Sequence, residues 1–461
     1  MSSPPLKIDF VMNSIMMQLR AGTLRPGQRL PSIRDEAQRF GVGKNTIVEA
    51  YLRLVGQGIL QAKPGSGYYV VRIPASTGDD RRLPLAAAAT DRVSLLSEQL
   101  DRLLPIRPGD GRPPPEWLET SELRRYLAYQ RFQEGDSYNS SWGHAPLRAR
   151  LCGALAERGI ACRDDQLFMT HGANHAMDLV IRRYVAPGDT VLVDDPGYYP
   201  LLAKLALAGA NALGVNRRHD GPDIADLEAK ARKSGARLFF TQSLAHNPTG
   251  GSITLGTAYS ILRIATEFDL LVVEDDPFAD ILPYTAPRLA ALDQLDRVIY
   301  IGTFSKTLAG SLRTGYLAAS RQLAAELNEL KVITTVSTSA HDERLIFQLI
   351  ENGHYLKHLR RLRARASKAT AESVKALEGC GFEISRPIGG GFYLWIDLPE
   401  HMADENLVHD AAREGIFIAP AINFSTSKNP LPAMRINVAY GSDPAFLSWL
   451  REKAKPPSVP A

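Results

Sequence analysis

The stretch IGTFSKTLAGSLRTGYLAAS, residues 301–320, joins an apolar strand pattern to a loop of small residues that contains one lysine, Lys306. The apolar run RVIYI that overlaps its start predicts a strand leading into this loop. A lysine in such a loop can be desolvated, and its pKa then falls until the neutral amine can attack an aldehyde. Thr303, Ser305 and Arg313 would donate hydrogen bonds to a phosphate. Pyridoxal 5'-phosphate carries both an aldehyde and a phosphate, so the stretch predicts a site for it; for the motif alone, a surface loop with a solvated lysine is the alternative.

Composition places the chain among ordinary globular proteins. It has 461 residues, 44% hydrophobic and 23% charged, which predicts two to four domains or one large two-part enzyme fold with an appendage. Three cysteines without a C-x-x-C pair favour a reducing compartment and no metal site. No apolar run reaches the roughly 18 residues of a membrane span. We expect a cytoplasmic protein with no membrane partner.

Charge is distributed unevenly along the chain. Residues 1–73 contain ten Lys and Arg against four Asp and Glu, a surplus of +6, whereas the whole chain carries +4. A basic head on a nearly neutral body is the pattern expected when only the head meets a polyanion. A solvated surface is the alternative on charge alone.

The first 70 residues predict helices followed by a hairpin. Apolar residues at helical spacing predict a helix over 6–20. Ser32 and Asp35 form a capping-box pattern that opens a second helix, which ends at Gly41. A third helix is expected over 44–57. Two short helices around a glycine turn are typical of a helix-turn-helix, whose second helix enters the major groove.

The segments LRPGQRLPSIR, FGVGKNTIVEAY and GILQAKPGSGYYV resemble the winged helix-turn-helix DNA-binding domain of GntR-type bacterial regulators over residues 6–71. The resemblance implies double-stranded operator DNA as a partner. Gly43 departs from the hydroxyl residue common at that helix cap, so a slightly weaker helix start is expected. The DNA-contacting residues implied by the resemblance are Arg34, Lys44, Asn45, Thr46 and Gly67.

From residue 136 onward, strands and helices alternate as in a doubly wound α/β sheet. Several polar motifs follow the carboxyl ends of predicted strands, where open α/β sheets bind ligands. One of them, Gly172-Ala173-Asn174, turns a strand into a helix and leaves backbone N–H groups aimed at an anion. The others are DPGY, which contains Tyr198, HNPTG, which contains Asn247, and VVEDD, which contains Asp275.

These motifs match the needs of the cofactor ring. A carboxylate keeps the pyridine nitrogen protonated, and Asp275 is the preferred candidate over Asp276. The Asn247 amide can donate to the phenolic oxygen, and Tyr198 can stack on the ring face. Near the C-terminus, Arg435 in MRINVA could bind an amino acid carboxylate in a bidentate manner, although a surface strand arginine is the alternative.

In this order the motifs resemble fold type I aminotransferases over residues 107–455. The resemblance implies a large α/β domain holding the cofactor on Lys306, a small α+β domain, and a homodimer with sites at the interface. It also implies that Tyr138, in SYNSSWG, reaches the phosphate bound by the neighbouring subunit.

A GntR-type head on an aminotransferase-like body resembles the MocR family of bacterial transcriptional regulators. The implied domains are the head over 1–73, a linker over 74–106 and the cofactor- and effector-binding body over 107–455. In that family the body senses pyridoxal 5'-phosphate and often a small amino compound. The resemblance also implies a domain-swapped homodimer.

Phe278 bears on catalysis. Aminotransferases of this type carry a tyrosine two or three positions after the ring-nitrogen aspartate, and its hydroxyl lowers the pKa of the imine formed with the lysine. Phe278 stands there in this chain. We therefore expect weak or absent transamination with retained cofactor binding. Two alternatives stay open: a working aminotransferase with an accessory DNA-binding head, and a regulator that has lost the cofactor.

Overall fold

In a computed structural model of the chain, the described residues are 7–20, 24, 27–56, 58–63, 66–71, 95–100, 102–118, 140–384, 391–402 and 407–455. The chain divides into two compact units, Met1–Leu83 and Pro84–Ala461, which we call the head and the body. The described residues contain no helix that is both long enough and apolar enough to cross a membrane.

The head consists of three helices and one hairpin. The helices are α1 (Lys7–Arg20), α2 (Ile33–Phe40) and α3 (Lys44–Gly56), and the antiparallel strands are β1 (Leu60–Lys63) and β2 (Gly67–Val70). Apolar side chains spaced three or four residues apart line the inner faces of α1 and α3 and are buried together. They include Val11, Ile15, Leu19, Ile47, Tyr51 and Leu54. The predicted winged helix-turn-helix is confirmed.

Local signals set the ends of α2. The Ser32 side chain accepts a hydrogen bond from the Asp35 N–H at 3.2 Å, and its hydroxyl donates to Asp35 Oδ2 at 2.7 Å. At the other end Gly41 has φ +62°, a left-handed conformation that favours glycine. The next helix follows Gly43, which has no side chain to cap it. Sequence therefore predicted both the stop of α2 and the sharp turn into α3.

The body is built on an eight-stranded sheet with the order β3-β10-β9-β8-β7-β4-β5-β6. Its five central strands run parallel to one another, in the order β9, β8, β7, β4 and β5. Strand β10 is antiparallel to both of its neighbours, β3 and β9. The strands are β3 (Leu167–Thr170), β4 (Thr190–Asp195), β5 (Asn211–Arg218), β6 (Gly221–Pro222), β7 (Leu238–Thr241), β8 (Leu271–Asp276), β9 (Val298–Thr303) and β10 (Gly315–Ala318).

Helices cover both faces of this sheet, and two apolar cores fill the spaces between. They are α4 (Ala145–Glu157), α5 (Ala173–Tyr184), α6 (Tyr199–Leu207), α7 (Ile224–Ser234), α8 (Leu255–Glu267), α9 (Leu289–Asp293), α10 (Arg321–Thr335), α11 (Ala340–Glu351) and α12 (His354–Glu378). Strands β3, β7, β9 and β10 are buried along their whole length and therefore read as mostly apolar runs.

A smaller sheet, β11 (Tyr393–Asp397), β13 (Ala433–Asn437) and β12 (Ala419–Pro420), has β13 in the centre and packs with α13 (Leu407–Arg413) and α14 (Pro444–Lys453) around a third core. Short 3-10 turns lie at Pro115–Trp117, Gly310–Leu312, Glu400–Met402 and Ala421–Asn423. A large α/β domain with a small α+β domain is the architecture that the sequence predicted.

The boundaries of the linker at 74 and 106 stay a prediction. Described residues from 95 onward already contact the body: residues 95–100 are helical, and Gln99 Nε2 donates to the Tyr199 hydroxyl at 2.6 Å. This helix does not continue through Arg102, which has φ +52°. A left-handed residue cannot continue a right-handed helix.

Candidate functional site

Lys306 lies in the turn after β9, where its Nζ donates to the carbonyl oxygen of Gly111. Burial, followed by the positive charge of Arg435, lowers the pKa of Lys306 to about 7, and the carboxylates of Asp110 and Asp275 only partly oppose this shift. Much of the amine is therefore neutral near pH 7, as a nucleophile toward an aldehyde must be.

Asp275 lies at the carboxyl end of β8 and is 5% exposed. Its Oδ2 accepts a hydrogen bond from Gln242 Nε2 at 2.6 Å, but its buried Oδ1 has no partner among the described residues. Burial raises the pKa of Asp275 to about 7, and the neighbouring Asp276 adds to this shift. An unpaired buried carboxylate oxygen is costly, and a protonated pyridine nitrogen would satisfy it.

Behind Asp275 lies a fully buried ion pair that sequence analysis missed. Arg217 Nη1 donates to Asp194 Oδ2 at 2.8 Å, and its Nη2 donates to the Gln242 carbonyl at 2.8 Å. Burial alone would raise the pKa of Asp194, but Arg217 and His246 outweigh it and hold the pKa below its ordinary value. The pair thus fixes Gln242, which in turn orients the carboxylate of Asp275.

Two of the predicted phosphate-binding residues, Gly172 and Arg313, meet at the start of α5. Gly172 precedes the helix with φ +76°, and no side chain in the described part of the chain caps the helix. A Cβ on Gly172 would lie 3.0 Å from Arg313 Nη2, and that nitrogen donates to the His171 carbonyl at 3.2 Å. Free helix N–H groups beside a guanidinium form an anion site. Ala173 and Asn174 begin the helix. Close to Lys306 in sequence, the Thr303 hydroxyl donates to Ser305 Oγ at 3.1 Å.

Arg435 and Asn247 are bonded to each other. Arg435 is fully buried; its Nη1 donates to Asn247 Oδ1 at 2.8 Å and its Nη2 to the Gly109 carbonyl at 2.7 Å. Its Nε has no partner among the described residues. Because Arg435 is buried, it is not the surface strand arginine that the sequence left as an alternative. Its Nε can still donate to an anion.

Tyr198 borders a small pocket, and its hydroxyl donates to Asn174 Oδ1 at 3.4 Å. The pocket is also lined by Gln242, His246, Asp275, Val193 and Phe240. Its apolar walls with a few polar groups are the mixture that small-molecule sites use.

Phe278 is fully buried and makes edge-to-face contacts with Phe392 and Tyr393, with ring centroids 5.2 and 5.7 Å apart. It therefore packs as a core residue. The nearby hydroxyl belongs to Tyr393, which donates to Gly111 O at 2.8 Å. Tyr393 carried no signal in the sequence, because it lies in an apolar strand that looks structural.

In the head, the predicted DNA-contacting side chains lie on the surface. Arg34, Lys44 and Asn45 are exposed, and Thr46 is half-buried at the first turn of α3. Gly67 has φ +101° in the hairpin, and a Cβ there would lie 3.3 Å from Arg29 Nε. Their contacts with DNA stay predictions.

The role predicted for Tyr138 concerns a residue outside the described part of the chain. The described residues include no group of three or more His, Cys, Asp or Glu side chains that could hold a metal ion. The fit to the cofactor rests on the unpaired Asp275 oxygen, the anion site at Gly172 and the weakly basic Lys306. Together these groups suit a ring nitrogen, a phosphate and an aldehyde.

Comparison with known proteins gives the same division of the chain. Residues 108–446 match the family model for aminotransferase class I and II, and residues 7–70 match that for bacterial regulatory proteins of the gntR family.

The chain is similar to HTH-type transcriptional regulators and to a solved aminotransferase. An uncharacterized HTH-type transcriptional regulator, YdcR of Escherichia coli (strain K12), is 28% identical over 92% of this chain and 93% of its own length. The probable rhizopine catabolism regulatory protein MocR of Rhizobium meliloti is 31% identical over 75% of this chain and 72% of its own. Kynurenine aminotransferase of Pyrococcus horikoshii, solved with PMP, has 24% identity and a TM-score of 0.74, covering 83% of this chain and all of that one, which shows the shared fold.

Proposed function

The chain belongs to the MocR-type transcriptional regulators, which join a GntR-type head to an aminotransferase class I and II body, and we propose that Lys306 holds the pyridoxal 5'-phosphate through which the body senses a small carboxylated amine. The regulator binds DNA through its head, and its cofactor is pyridoxal 5'-phosphate. The attachment residue, the effector and the way it acts on DNA binding belong to the proposal.

One observation carries this proposal. A lysine with a pKa of about 7 shares its surroundings with a buried carboxylate, Asp275, that has one unpaired oxygen. An ordinary structural lysine would stay charged and pair with such a carboxylate. A neutral amine and an unsatisfied carboxylate together favour a ligand that reacts with the first and hydrogen-bonds the second.

When bound, the cofactor supplies an aldehyde that condenses with amines and a ring that accepts electrons. Asp275 would hold the proton of the ring nitrogen, with Gln242 fixing the carboxylate from the other side. Gly172, Ala173 and Asn174 would bind the phosphate through the start of α5, assisted by Arg313. Tyr198 would cover the ring and exclude water, and the amide of Asn247 would donate to the phenolic oxygen.

Arg435 indicates the chemical class of the effector. A fully buried guanidinium with an unpaired Nε favours a planar anion, which it can bind through two parallel hydrogen bonds. In a compound with a primary amine and a carboxylate, the amine could meet the cofactor held by Lys306 while the carboxylate binds Arg435. We therefore propose an amino acid or a close analogue as the effector.

For the head, the exposed Lys44 at the start of α3 and the exposed Arg34 in α2 support entry of α3 into the major groove of operator DNA. Effector binding in the body would change the affinity of the head for its operator, by a coupling of about 1–3 kcal/mol.

The second candidate is a working aminotransferase with an accessory head. The presence of Lys306, Asp275, Asn247 and Arg435 favours it, because these groups would serve catalysis as well as sensing. Phe278 argues against it, since the hydroxyl that tunes the lysine is absent at that position.

The test combines DNA binding with catalysis. Gel shifts on the chain's own promoter region are measured with and without pyridoxal 5'-phosphate, and with a panel of amino acids, for the parent and for Lys306→Ala. We expect cofactor and one amino acid to change the parent's affinity severalfold and to leave the variant unaffected. Equal responses in both proteins would reject sensing through Lys306. Rapid steady-state transamination with any amino acid and keto acid would favour the second candidate.

A further inference from the structure

The amine of Lys306 shares its hydrogen-bond acceptor with a tyrosine. Lys306 Nζ and the Tyr393 hydroxyl both donate to the carbonyl oxygen of Gly111, the hydroxyl at 2.8 Å. Two donors on one oxygen lie within about 6 Å of each other, twice an ordinary hydrogen-bond length. Tyr393 is therefore a neighbour of the reactive nitrogen, although 87 positions separate the two residues in sequence.

The surroundings hold the Tyr393 hydroxyl in this place. Its ring is fully buried, lies against Phe278, and has the Arg435 guanidinium 4.9 Å from its centroid. Burial raises the pKa of Tyr393 to about 12, so the phenol stays protonated near neutral pH and can donate to Gly111. The Gly111 oxygen accepts from both donors at once, so the Tyr393 hydrogen bond withdraws electron density from the oxygen to which Lys306 donates and weakens that second bond.

We propose that Tyr393 is a positioning residue for Lys306. By competing for the Gly111 oxygen, its hydroxyl limits the stabilisation of the protonated amine. The lysine therefore stays reactive in a site where Phe278 supplies no hydroxyl. This inference rests on the proposed attachment of the cofactor to Lys306. It assigns the tuning of the lysine to the small sheet, through β11, rather than to the residue that follows the ring-nitrogen aspartate.

Other charged groups act on the same amine and are unchanged by substitution at 393. Those that face Lys306 from the surrounding segments are Asp110, Arg112, Asp275 and Arg435. Their charges set the general level of the lysine's pKa, and the hydroxyl of Tyr393 adds a smaller, local effect.

The experiment measures covalent loading, not turnover. Protein stripped of cofactor is mixed with pyridoxal 5'-phosphate, and the rate at which visible absorbance develops is recorded across the neutral pH range. Only the neutral amine reacts, so the midpoint of the rate profile follows the pKa of Lys306. In Tyr393→Phe the full carbonyl becomes available to the ammonium. The midpoint should move upward by about half to one pH unit, the equivalent of one neutral hydrogen bond.

Two further proteins complete the test. Tyr184→Phe removes a tyrosine hydroxyl that bonds Glu326 at 3.4 Å, outside the site, and should leave the midpoint unchanged. Difluorotyrosine introduced at 393 is a stronger donor of similar size and should move the midpoint downward. If Tyr393→Phe does not fold, the difluorotyrosine protein by itself tests the role of Tyr393.

The outcomes separate the two levels of the proposal. Profiles of Tyr393→Phe and difluorotyrosine protein that superimpose on the parent's would overturn the role of Tyr393, even if both lose thermal stability. If the parent itself does not load cofactor, or loads it equally well as Lys306→Ala, the proposed function fails first.

Discussion

The buried ion pair between Arg217 and Asp194 gives a sharp test of how the site is supported. Replacing Arg217 with methionine keeps much of the apolar volume but removes the guanidinium. The side chains of Arg217 and Asp194 are 0% and 4% exposed, so no water takes its place. Asp194 then loses its cation, and Thr241 Oγ1 and the Gln242 carbonyl lose a donor each.

The expected cost is large. Breaking a buried pair by removing one partner leaves an uncompensated charge and typically costs about 3–5 kcal/mol. For a body of this size we expect the unfolding midpoint to drop by roughly 5 °C near pH 8. Because Gln242 orients Asp275, affinity for pyridoxal 5'-phosphate should fall as well.

The cost should depend on pH, because His246 lies beside the same carboxylate, with Nε2 3.5 Å from Asp194 Oδ2. In the parent, burial and then Arg217 lower the pKa of His246 to about 4. The unfolded chain takes up this proton first, so the parent loses stability as pH falls from about 6.5 toward 4. Without Arg217, the pKa of His246 should rise toward its unfolded value, because burial still lowers it but the repulsion from the guanidinium is gone. The variant therefore loses less stability than the parent as pH falls from about 6.5 toward 4.

The assay is thermal unfolding of parent and variant at about pH 5.5 and about pH 8. The deficit of Arg217→Met should be clearly smaller at the lower pH. Arg263→Met is the matched control, since Arg263 pairs with Glu228 and Glu267 on the surface and should change the midpoint little at either pH. An equal deficit at both pH values, or one no larger than that of the control, would refute the reasoning.

Three further substitutions test other parts of the molecule. Gly172→Ala strains a residue with φ +76° and crowds Arg313, so affinity for pyridoxal 5'-phosphate should fall about tenfold. Pyridoxal lacks the phosphate, so its affinity, measured by the same absorbance titration, should not change. Phe278→Tyr restores a hydroxyl and should lower, by about one unit, the pH at which the bound cofactor's absorbance changes; an unchanged titration would contradict the role given to this position. Lys44→Ala should weaken binding to all DNA sequences and reduce the salt dependence by about one charge, and a loss confined to one sequence would instead indicate a base contact.

Sequence predicted the part of the site that depends on strand order. Asp275 lies at the carboxyl end of β8 and Lys306 follows β9, and adjacent parallel strands bring their carboxyl ends together. Once the alternation of strands and helices is recognised, these residues have to meet. The same logic applies to Asn247 after β7 and to Gly172 after β3.

The rest depended on contacts that no local pattern encodes. Gly111 meets Lys306 across 195 positions and Tyr393 across 282. Gly109 passes so close to the small sheet that a Cβ would lie 2.5 Å from the Ile418 carbonyl carbon, yet in sequence it is one glycine in a proline-rich segment. Arg217 resembled any polar residue at the end of an alternating strand, since alternation shows which face a side chain occupies and not what it pairs with.

The segment from Gly109 to Gly111 joins the two functions proposed for the body. Its first carbonyl accepts from Arg435, and its last accepts from Lys306 and Tyr393. Arg435 also reaches Asn247 on the large sheet, so the small sheet is tied to the cofactor site through one guanidinium. A carboxylate that draws N–H groups of Arg435 toward itself must weaken the bonds to Asn247 and Gly109. Effector binding would therefore shift the segment that holds the lysine's acceptor, and so couple recognition of the acid group to the reactivity of the amine.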